Sequence, residues 1–433
     1  MQLIFALLTP FLLGFGFLRF FMSAWILFAL AYPVGIGILG LIIFFLGILK
    51  IPLTLINIAS LAWLMIILLF SLSYKKKLFP LTFPLPAIKS FSPVEWLLFF
   101  GITFKVIFVF FEALIKPVFT WDAWSRYALV AKIIYYKQGF MGNFALQRME
   151  DYPPLIMFNQ AWIFICDGAW NDTIIKIISP LFFLALLAIF YYGLSKSLDR
   201  SKALGLTFLL SSLPLLVFHS TTAYLDLPAT FYFSAGFIFL FMFLRENKNS
   251  DLIISACLLG LGIWTKRAGI YLAMVSILIY LVNFKQLKKT EIIKFICIIF
   301  LLALPWLIYS RIIPIQHYWS VAQVAAETKV DLQNRAPLVI KVFIAKMFFS
   351  ANWHLSWALL VYAMLFYRER IFSNYKWTFA LAISICLILF LCIFMFTDGF
   401  KYIIDGTLLN RVMLYIMPLV LFYSGLIIFE DRP

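Results

Sequence analysis

Charge is scarce in this sequence, and acidic charge especially so. Only 12% of the 433 residues are charged, with 19 acidic residues against 35 basic ones. Soluble domains carry about 25% charged residues, so this scarcity excludes a soluble globular protein. The hydrophobic fraction of 64% and the mean hydropathy of +1.01 also exclude a disordered chain, because apolar surface is in surplus. The composition predicts an all-α polytopic membrane protein.

Cysteine and histidine are also few, which restricts disulfide and metal chemistry. The 5 cysteines lie in apolar stretches without Cys-x-x-Cys spacing, so we interpret them as small core residues. His219 stands near a carboxylate in the sequence, but a metal site usually needs three or more protein ligands. No cofactor is certain from the sequence. The use of a divalent metal stays open, with Asp122, Asp151 and His219 as weak candidates.

Apolar runs predict about 13 membrane crossings, since each crossing takes roughly 20 residues. They lie near residues 2–18, 22–48, 52–73, 94–115, 173–195, 203–219, 224–244, 251–268, 269–284, 291–311, 347–367, 378–397 and 411–429. The run 154–167 is short for a crossing, and we interpret it as re-entrant or interfacial. No repeat or linker divides the chain, so we expect one membrane domain over residues 1–433. Its parts are extra N-terminal spans (1–93), a span with a large outer loop (94–172) and the remaining spans and loops (173–433).

Most of the positive charge has an ordinary explanation in membrane topology. Short basic loops near Lys75, Lys196, Arg245, Lys285 and Arg368 all fall on one side of the predicted spans, which the positive-inside rule places in the cytoplasm. We therefore expect a membrane partner and no nucleic acid. Other basic residues fall on the opposite side, in the outer loop 116–172 and at outer span ends. These need a different explanation, such as an anionic ligand.

The outer loop begins with an acidic residue among aromatic ones. Apolar positions recur with helical spacing at Trp124, Ala128, Ala131 and Ile134, which predicts an amphipathic helix along the membrane surface. Asp122 precedes this helix, beside two tryptophans. It either caps the helix or acts as a general base in a desolvated setting. The two roles are compatible.

The same loop ends with an acidic segment before two prolines. Pro153 and Pro154 predict a rigid turn into a helix, because proline is tolerated in a first helical turn. Asp151 and Tyr152 are therefore held at the start of that helix. An acidic residue there either complements the helix dipole or serves the chemistry of the loop.

Further polar residues lie at outer span ends. His219 and Asp226, within "HSTTAYLDLPATF", are candidate ligands or acid–base groups, although Asp226 also suits a helix cap. Lys266 and Arg267 end a span, where they either snorkel to the interface or bind an anionic headgroup. Arg411 opens the last span, where a guanidinium suits bidentate contact with a phosphate.

The order of these motifs resembles the GT-C superfamily of polytopic glycosyltransferases over residues 95–425. Within it the sequence looks like the branch of protein O-mannosyltransferases and aminoarabinose transferases, the family 39-like enzymes. The resemblance depends on "WDAW" with the downstream Lys132, and on "DYPPL", which is similar to the branch's Glu-Lys-Pro-Pro-Leu. It implies a GT-C-like fold in which the first large outer loop is catalytic. It also implies sugar transfer from a polyprenyl-phosphate donor.

The resemblance assigns roles to individual residues. Asp122 would take the acceptor's proton, and Asp151 would hold the acceptor or a metal. Lys266 and Arg411, with Arg267 beside them, would hold the donor's phosphate. The implied pocket for acceptor and donor contains Trp121, Trp124, Tyr152, His219 and Asp226.

The sequence departs from the family pattern in two places. Tyr152 replaces the lysine before Pro-Pro, so a phosphate contact is lost or is supplied by Arg126, Lys132 or Arg148. Three predicted spans precede the one that leads into the catalytic loop, where the family usually has one.

We expect an inverting transfer to an acceptor hydroxyl on a glycan, lipid or protein, at the extracytoplasmic face of a prokaryotic cell membrane. Independently of the resemblance, such a transfer needs a base and phosphate-binding cations. One alternative is a transporter or flippase of a lipid-linked anionic glycan, with charges at mid-bilayer and often inverted repeats. A second is an oligosaccharide polymerase or ligase, whose main outer loop comes late. Here the charges cluster at outer span ends, no repeat is evident and the loop is early.

Overall fold

A computed structural model of the chain describes residues 2–22, 25–78, 91–140, 152–284, 287–312, 332–404 and 406–430, and these ranges contain helices and no strand. The α-helices are α1 (Gln2–Leu18), α2 (Ile26–Ile48), α3 (Leu55–Lys75), α4 (Pro93–Ile115), α5 (Ala128–Lys137), α6 (Leu155–Asp167), α7 (Ile178–Leu194), α8 (Arg200–Ser211), α9 (Pro214–Ser220), α10 (Asp226–Glu246), α11 (Asn249–Ile263), α12 (Ala268–Val282), α13 (Lys289–Ile312), α14 (Leu332–Phe348), α15 (Ser356–Phe366), α16 (Trp377–Phe396), α17 (Lys401–Ile404) and α18 (Thr407–Phe429). Helices satisfy their own backbone groups, which lipid cannot do. The predicted all-α polytopic membrane fold is confirmed.

Eight helices in the described ranges are long and apolar enough to cross a membrane, or nine if the bent pair α8–α9 counts as one span. Four other predicted crossings coincide with shorter apolar helices, namely α1, α11, α12 and α15. The run 154–167 forms α6, a buried helix of 13 residues. The total of 13 crossings stays a prediction.

The predicted span 203–219 is not one straight helix, because the chain bends by 69° between α8 and α9. Pro214 opens α9, and Leu213 before it has an extended backbone with ψ 119°. A proline has no N–H for the preceding turn and disfavours helical geometry in the residue before it. The bend brings His219, at the end of α9, close to the start of α10.

Helix α2 runs through the protein core rather than along its lipid-facing surface, since 78% of an apolar 18-residue stretch of it is buried. A Cβ on Gly14 would clash with the carbonyl of Ala31, and one on Gly35 with the carbonyl of Pro10. Glycine therefore permits the close approach of α1 and α2. Asn159 of α6 donates to the carbonyl of Ile36 at 3.1 Å, which fixes α6 against α2.

Helices α10 and α18 form the centre of the bundle, since an apolar 18-residue stretch of each is 100% and 89% buried, respectively. They run parallel. Asp226 and Arg411 lie close together near their starts, and Arg245 contacts Glu430 at 3.0 Å near their ends. We call the end of the bundle with Asp226 and Arg411 the site end, and the end with Arg245 and Glu430 the far end. Lys376 also contacts Glu430 at the far end, at 2.8 Å.

The amphipathic helix predicted in the outer loop has a different register from the one expected. A π-helical turn (Ala123–Tyr127) precedes α5 and closes with a bond from the Ala128 N–H to the Ala123 carbonyl. This wider turn rotates Trp124 to the surface and puts Tyr127 on the buried face. Ala128, Ala131 and Ile134 are buried as expected, but Trp124 is not on their face.

Candidate active site

Asp226 lies at the centre of a charged cluster at the site end. Its carboxylate is fully buried, and one oxygen, Oδ1, accepts hydrogen bonds from Lys266 Nζ at 2.6 Å and from the Tyr415 hydroxyl at 2.7 Å. The other oxygen, Oδ2, lies 3.9 Å from Arg411 Nε and 4.0 Å from His219 Nδ1. A buried carboxylate needs such compensation. Asp226 is the first residue of α10, the N-cap position belongs to Leu225, and neither carboxylate oxygen bonds to a backbone N–H of the described residues, so capping is not its role.

Lys266 enters the cluster from the break between α11 and α12. Only 6% of the residue is exposed, and its ammonium contacts Asp226 within the protein. Snorkelling to the interface therefore does not describe Lys266. The ammonium also lies 5.7 Å from the centre of the Tyr415 ring, a distance at which a cation is attracted to an aromatic face.

Arg411 connects the two carboxylates of the cluster. Its Nη1 donates to Oδ2 of Asp122 at 2.5 Å, while its Nε faces Asp226. The guanidinium also lies over the Tyr224 ring, 4.3 Å from its centre. The result is an alternating series of charges in the order Lys266, Asp226, Arg411, Asp122.

Asp122 reaches this series from the turn before α5. It occupies the position before the π-helical turn but makes no capping hydrogen bond, so the N-cap interpretation is wrong. About 25% of its side chain is exposed, against none for Asp226. Asp122 is thus the more accessible carboxylate, at the entrance of the cluster. An accessible carboxylate at the end of such a series can take a proton from a ligand while the cations of the series hold an anionic group.

Three tyrosines that are not among the predicted site residues complete the surroundings of the charge series. Tyr127 is buried with ring centres 5.8 Å from Tyr152 and 6.5 Å from Tyr224. Burial, together with nearby negative charges, raises the pKa of Tyr127 well above its usual value, so it stays a neutral phenol. Tyr224 lies two residues before Asp226, and Tyr415 lies one helical turn after Arg411. Their spacing from charged residues is the signal that could have identified them.

The other predicted site residues lie at varying depth around this series. Tyr152 and His219 border it. The Tyr152 ring contacts the ring of Tyr127, and His219 is buried with its ring centre 5.2 Å from that of Tyr224. Trp121 and Trp124 contact each other at 5.9 Å between ring centres and are both exposed. Lys132 lies instead over the Trp170 ring at 4.4 Å.

Arg126 and Arg267 are half-buried sequence neighbours of the cluster, close in the chain to Asp122 and Lys266. Asp151 and Arg148 lie outside the described residues. In the part of the chain that is described, no three His, Cys, Asp or Glu side chains form a group that could hold a metal ion.

Comparison with protein families gives a match in the middle of the chain. Residues 151–309 match the dolichyl-phosphate-mannose-protein mannosyltransferase family. This mannosyltransferase match confirms the predicted resemblance over those residues, which include Asp226 and Lys266. It supports a membrane glycosyltransferase of the mannosyltransferase kind. Comparisons with curated proteins and with solved structures gave no match.

Proposed function

We propose that this protein transfers a sugar from a polyprenyl-phosphate donor to an acceptor hydroxyl, with inversion, on the extracytoplasmic face of the membrane. The main support is the alternating series of charges at the site end. It joins the outer loop to α10, to the break between α11 and α12, and to α18. These parts come from distant points in the chain, yet they link one accessible carboxylate and two cations in a single series of contacts through Asp226.

In the proposed reaction the acceptor oxygen attacks the anomeric carbon of the donor. The bond between that carbon and the phosphate oxygen breaks, and its electron pair stays on the phosphate. Asp122 takes the proton that the acceptor hydroxyl loses. A single displacement of this kind inverts the configuration at the anomeric carbon.

Lys266 and Arg411 would stabilise the negative charge that develops on the departing phosphate. Cations are most effective when they are held in place before the reaction, because no reorganisation is then needed. Asp226 is the positioning residue in this scheme, since it contacts both cations and also the Tyr415 hydroxyl. Trp121 and Trp124, exposed beside Asp122, would border the entry of the acceptor or the lipid donor. Asp151 remains a second proposed catalytic residue from the resemblance.

The position of the charges also bears on the transporter alternative. The four charged residues of the series lie at or near helix starts and at a break between helices. A transported anion would instead need polar groups near the middle of the spans. The distribution therefore favours chemistry at one face of the membrane.

The test is sugar transfer by purified protein in phospholipid nanodiscs, with radiolabelled polyprenyl-phosphate mannose as donor and GDP-mannose as the comparison donor. We expect transfer from the lipid donor alone, and we expect Asp122→Asn to lower its rate by a factor of about 100 to 10,000, the usual effect of losing a general base. Asp172→Asn removes another carboxylate of the outer loop 116–172, one that is not part of the charge series, and this variant should retain transfer. Normal transfer by a folded Asp122→Asn protein would refute the assignment of the base. Use of GDP-mannose alone would refute the lipid donor.

A further inference from the structure

The proposed base and the proposed phosphate-binding arginine are bonded to each other. Arg411 Nη1 lies 2.5 Å from Asp122 Oδ2, a short charge-assisted hydrogen bond. An arginine edge that is bonded to a carboxylate cannot bind a phosphate through the same N–H groups. The same bond occupies Oδ2, one of the two oxygens of the proposed base. One contact thus engages the groups of both proposed functions.

The two carboxylates on Arg411 are held with different strength. Asp226 is fully buried, starts a central helix and has two hydrogen-bond donors of its own. Asp122 is a quarter exposed and lies beside a π-helical turn, a form that is rare and common at functional sites. Water can compensate Asp122 if it leaves Arg411, but water does not reach Asp226. Asp122 is therefore the partner that can be displaced.

We propose that the donor's phosphate displaces Asp122 from Arg411, so that donor binding itself frees the catalytic base. This inference rests on the proposed function and adds an order to it. Arg411 exchanges one anion for another at Nη1, while Asp226 continues to hold its Nε side and Lys266. The acceptor can then be deprotonated only after the donor is in place.

The same exchange governs release of the product. After transfer, Asp122 carries the acceptor's proton and is neutral, so it no longer competes for Arg411. The departing polyprenyl phosphate keeps its arginine partner at the moment when its charge is highest. Asp122 then gives its proton to water, and the restored carboxylate again competes with the phosphate for Arg411.

The proposal predicts an unusual effect for a catalytic residue, namely tighter ligand binding when Asp122 loses its charge. The probe is farnesyl phosphate, titrated calorimetrically into protein in phosphatidylcholine nanodiscs. We expect Asp122→Asn and Asp122→Ser to bind it about three- to tenfold more tightly than the unaltered protein, because Arg411 is then free. Arg411→Gln should bind it at least about tenfold more weakly.

A double variant and a charge control make the test specific to this contact. Asp122→Asn in the Arg411→Gln background should give no gain in affinity, because the competition requires both side chains. Asp172→Asn should leave binding unchanged, which separates the effect from a general change in surface charge. Equal or weaker binding by both neutral variants at Asp122, or a gain that persists without Arg411, would overturn the exchange.

Failure of the exchange can be told apart from failure of the proposed function. If farnesyl phosphate binds and Arg411→Gln weakens it, but neutral variants at Asp122 do not strengthen it, only the exchange is wrong. If farnesyl phosphate does not bind the unaltered protein, the lipid-phosphate donor is wrong and the exchange fails with it.

Discussion

Single residues at the site end act through their partners, and Asp226 has more described partners than its neighbours. Its carboxylate compensates Lys266 inside the protein, and it orients Arg411 from the side opposite Asp122. Removing its charge therefore affects folding and catalysis together. Separating the two effects needs a second substitution that removes the unpaired charge.

Asp226→Asn should abolish sugar transfer and lower the free energy of unfolding by about 3–5 kcal/mol, because it leaves the Lys266 ammonium buried without a counter-ion. Thermal unfolding in detergent measures the loss of stability. Adding Lys266→Met should restore much of the stability and none of the transfer. Restored transfer in the double variant would show that neither residue takes part in donor binding.

Tyr415 and Tyr423 offer a matched pair on α18. Both rings are buried, but the Tyr415 hydroxyl donates to Asp226, whereas the Tyr423 hydroxyl has no hydrogen-bond partner among the described residues. Tyr415→Phe should cost about 1–3 kcal/mol of stability, since the bond is to a charged group. It should also raise the KM for the lipid donor. Tyr423→Phe should change neither quantity, and equal effects of the two substitutions would contradict the role given to Tyr415.

At the residue scale, all four residues of the charge series are candidates from the sequence, but their pairing could not be predicted. Asp122 and Arg411 are 289 residues apart, and hydropathy contains no information about which charges meet. Spacing rules also assumed an α-helix after Asp122. The π-helical turn shifted the register, so Tyr127 faces inward where Trp124 was expected.

Among the elements, α2 differs most from its expected role. It was predicted as one of several extra spans before the catalytic loop, yet it lies in the core and holds α6 through Asn159. Hydropathy cannot distinguish a helix that faces lipid from one that faces other helices, because both are apolar. Glycines that approach a neighbouring backbone provide a more useful signal.

Gly35→Ala in α2 should lower the free energy of unfolding by about 1–3 kcal/mol or more, because the added methyl group clashes with the carbonyl of Pro10. Gly205→Ala in α8 is the matched control, since no atom lies within 4 Å of its added carbon. It should be neutral or slightly stabilising, as alanine favours helix more than glycine does. Thermal unfolding measures the stability of both variants. Equal stability of the two would contradict close packing of α1 on α2.

For the molecule as a whole, apolar runs predicted the helical architecture well, because lipid requires nearly every span to be a continuous helix. The exception is the bend at Pro214. The proline is visible in the sequence, but the bend angle of 69° could not be predicted from it. Pairing across the bundle could not be predicted in the same way. It depends on which helix ends meet, and that is a property of the packed chain.

The parallel pair α10 and α18 also has a consequence for biogenesis. At the site end α10 carries the acidic residue Asp226 and α18 carries the basic residue Arg411. At the far end the charges are reversed, since α10 carries Arg245 and the acidic Glu430 follows α18. Had α18 entered the bilayer upside down, each end would bring together two charges of the same sign. The polarity of these pairs therefore disfavours an inverted α18, and the charged residues at the two ends contribute to the orientation of this helix.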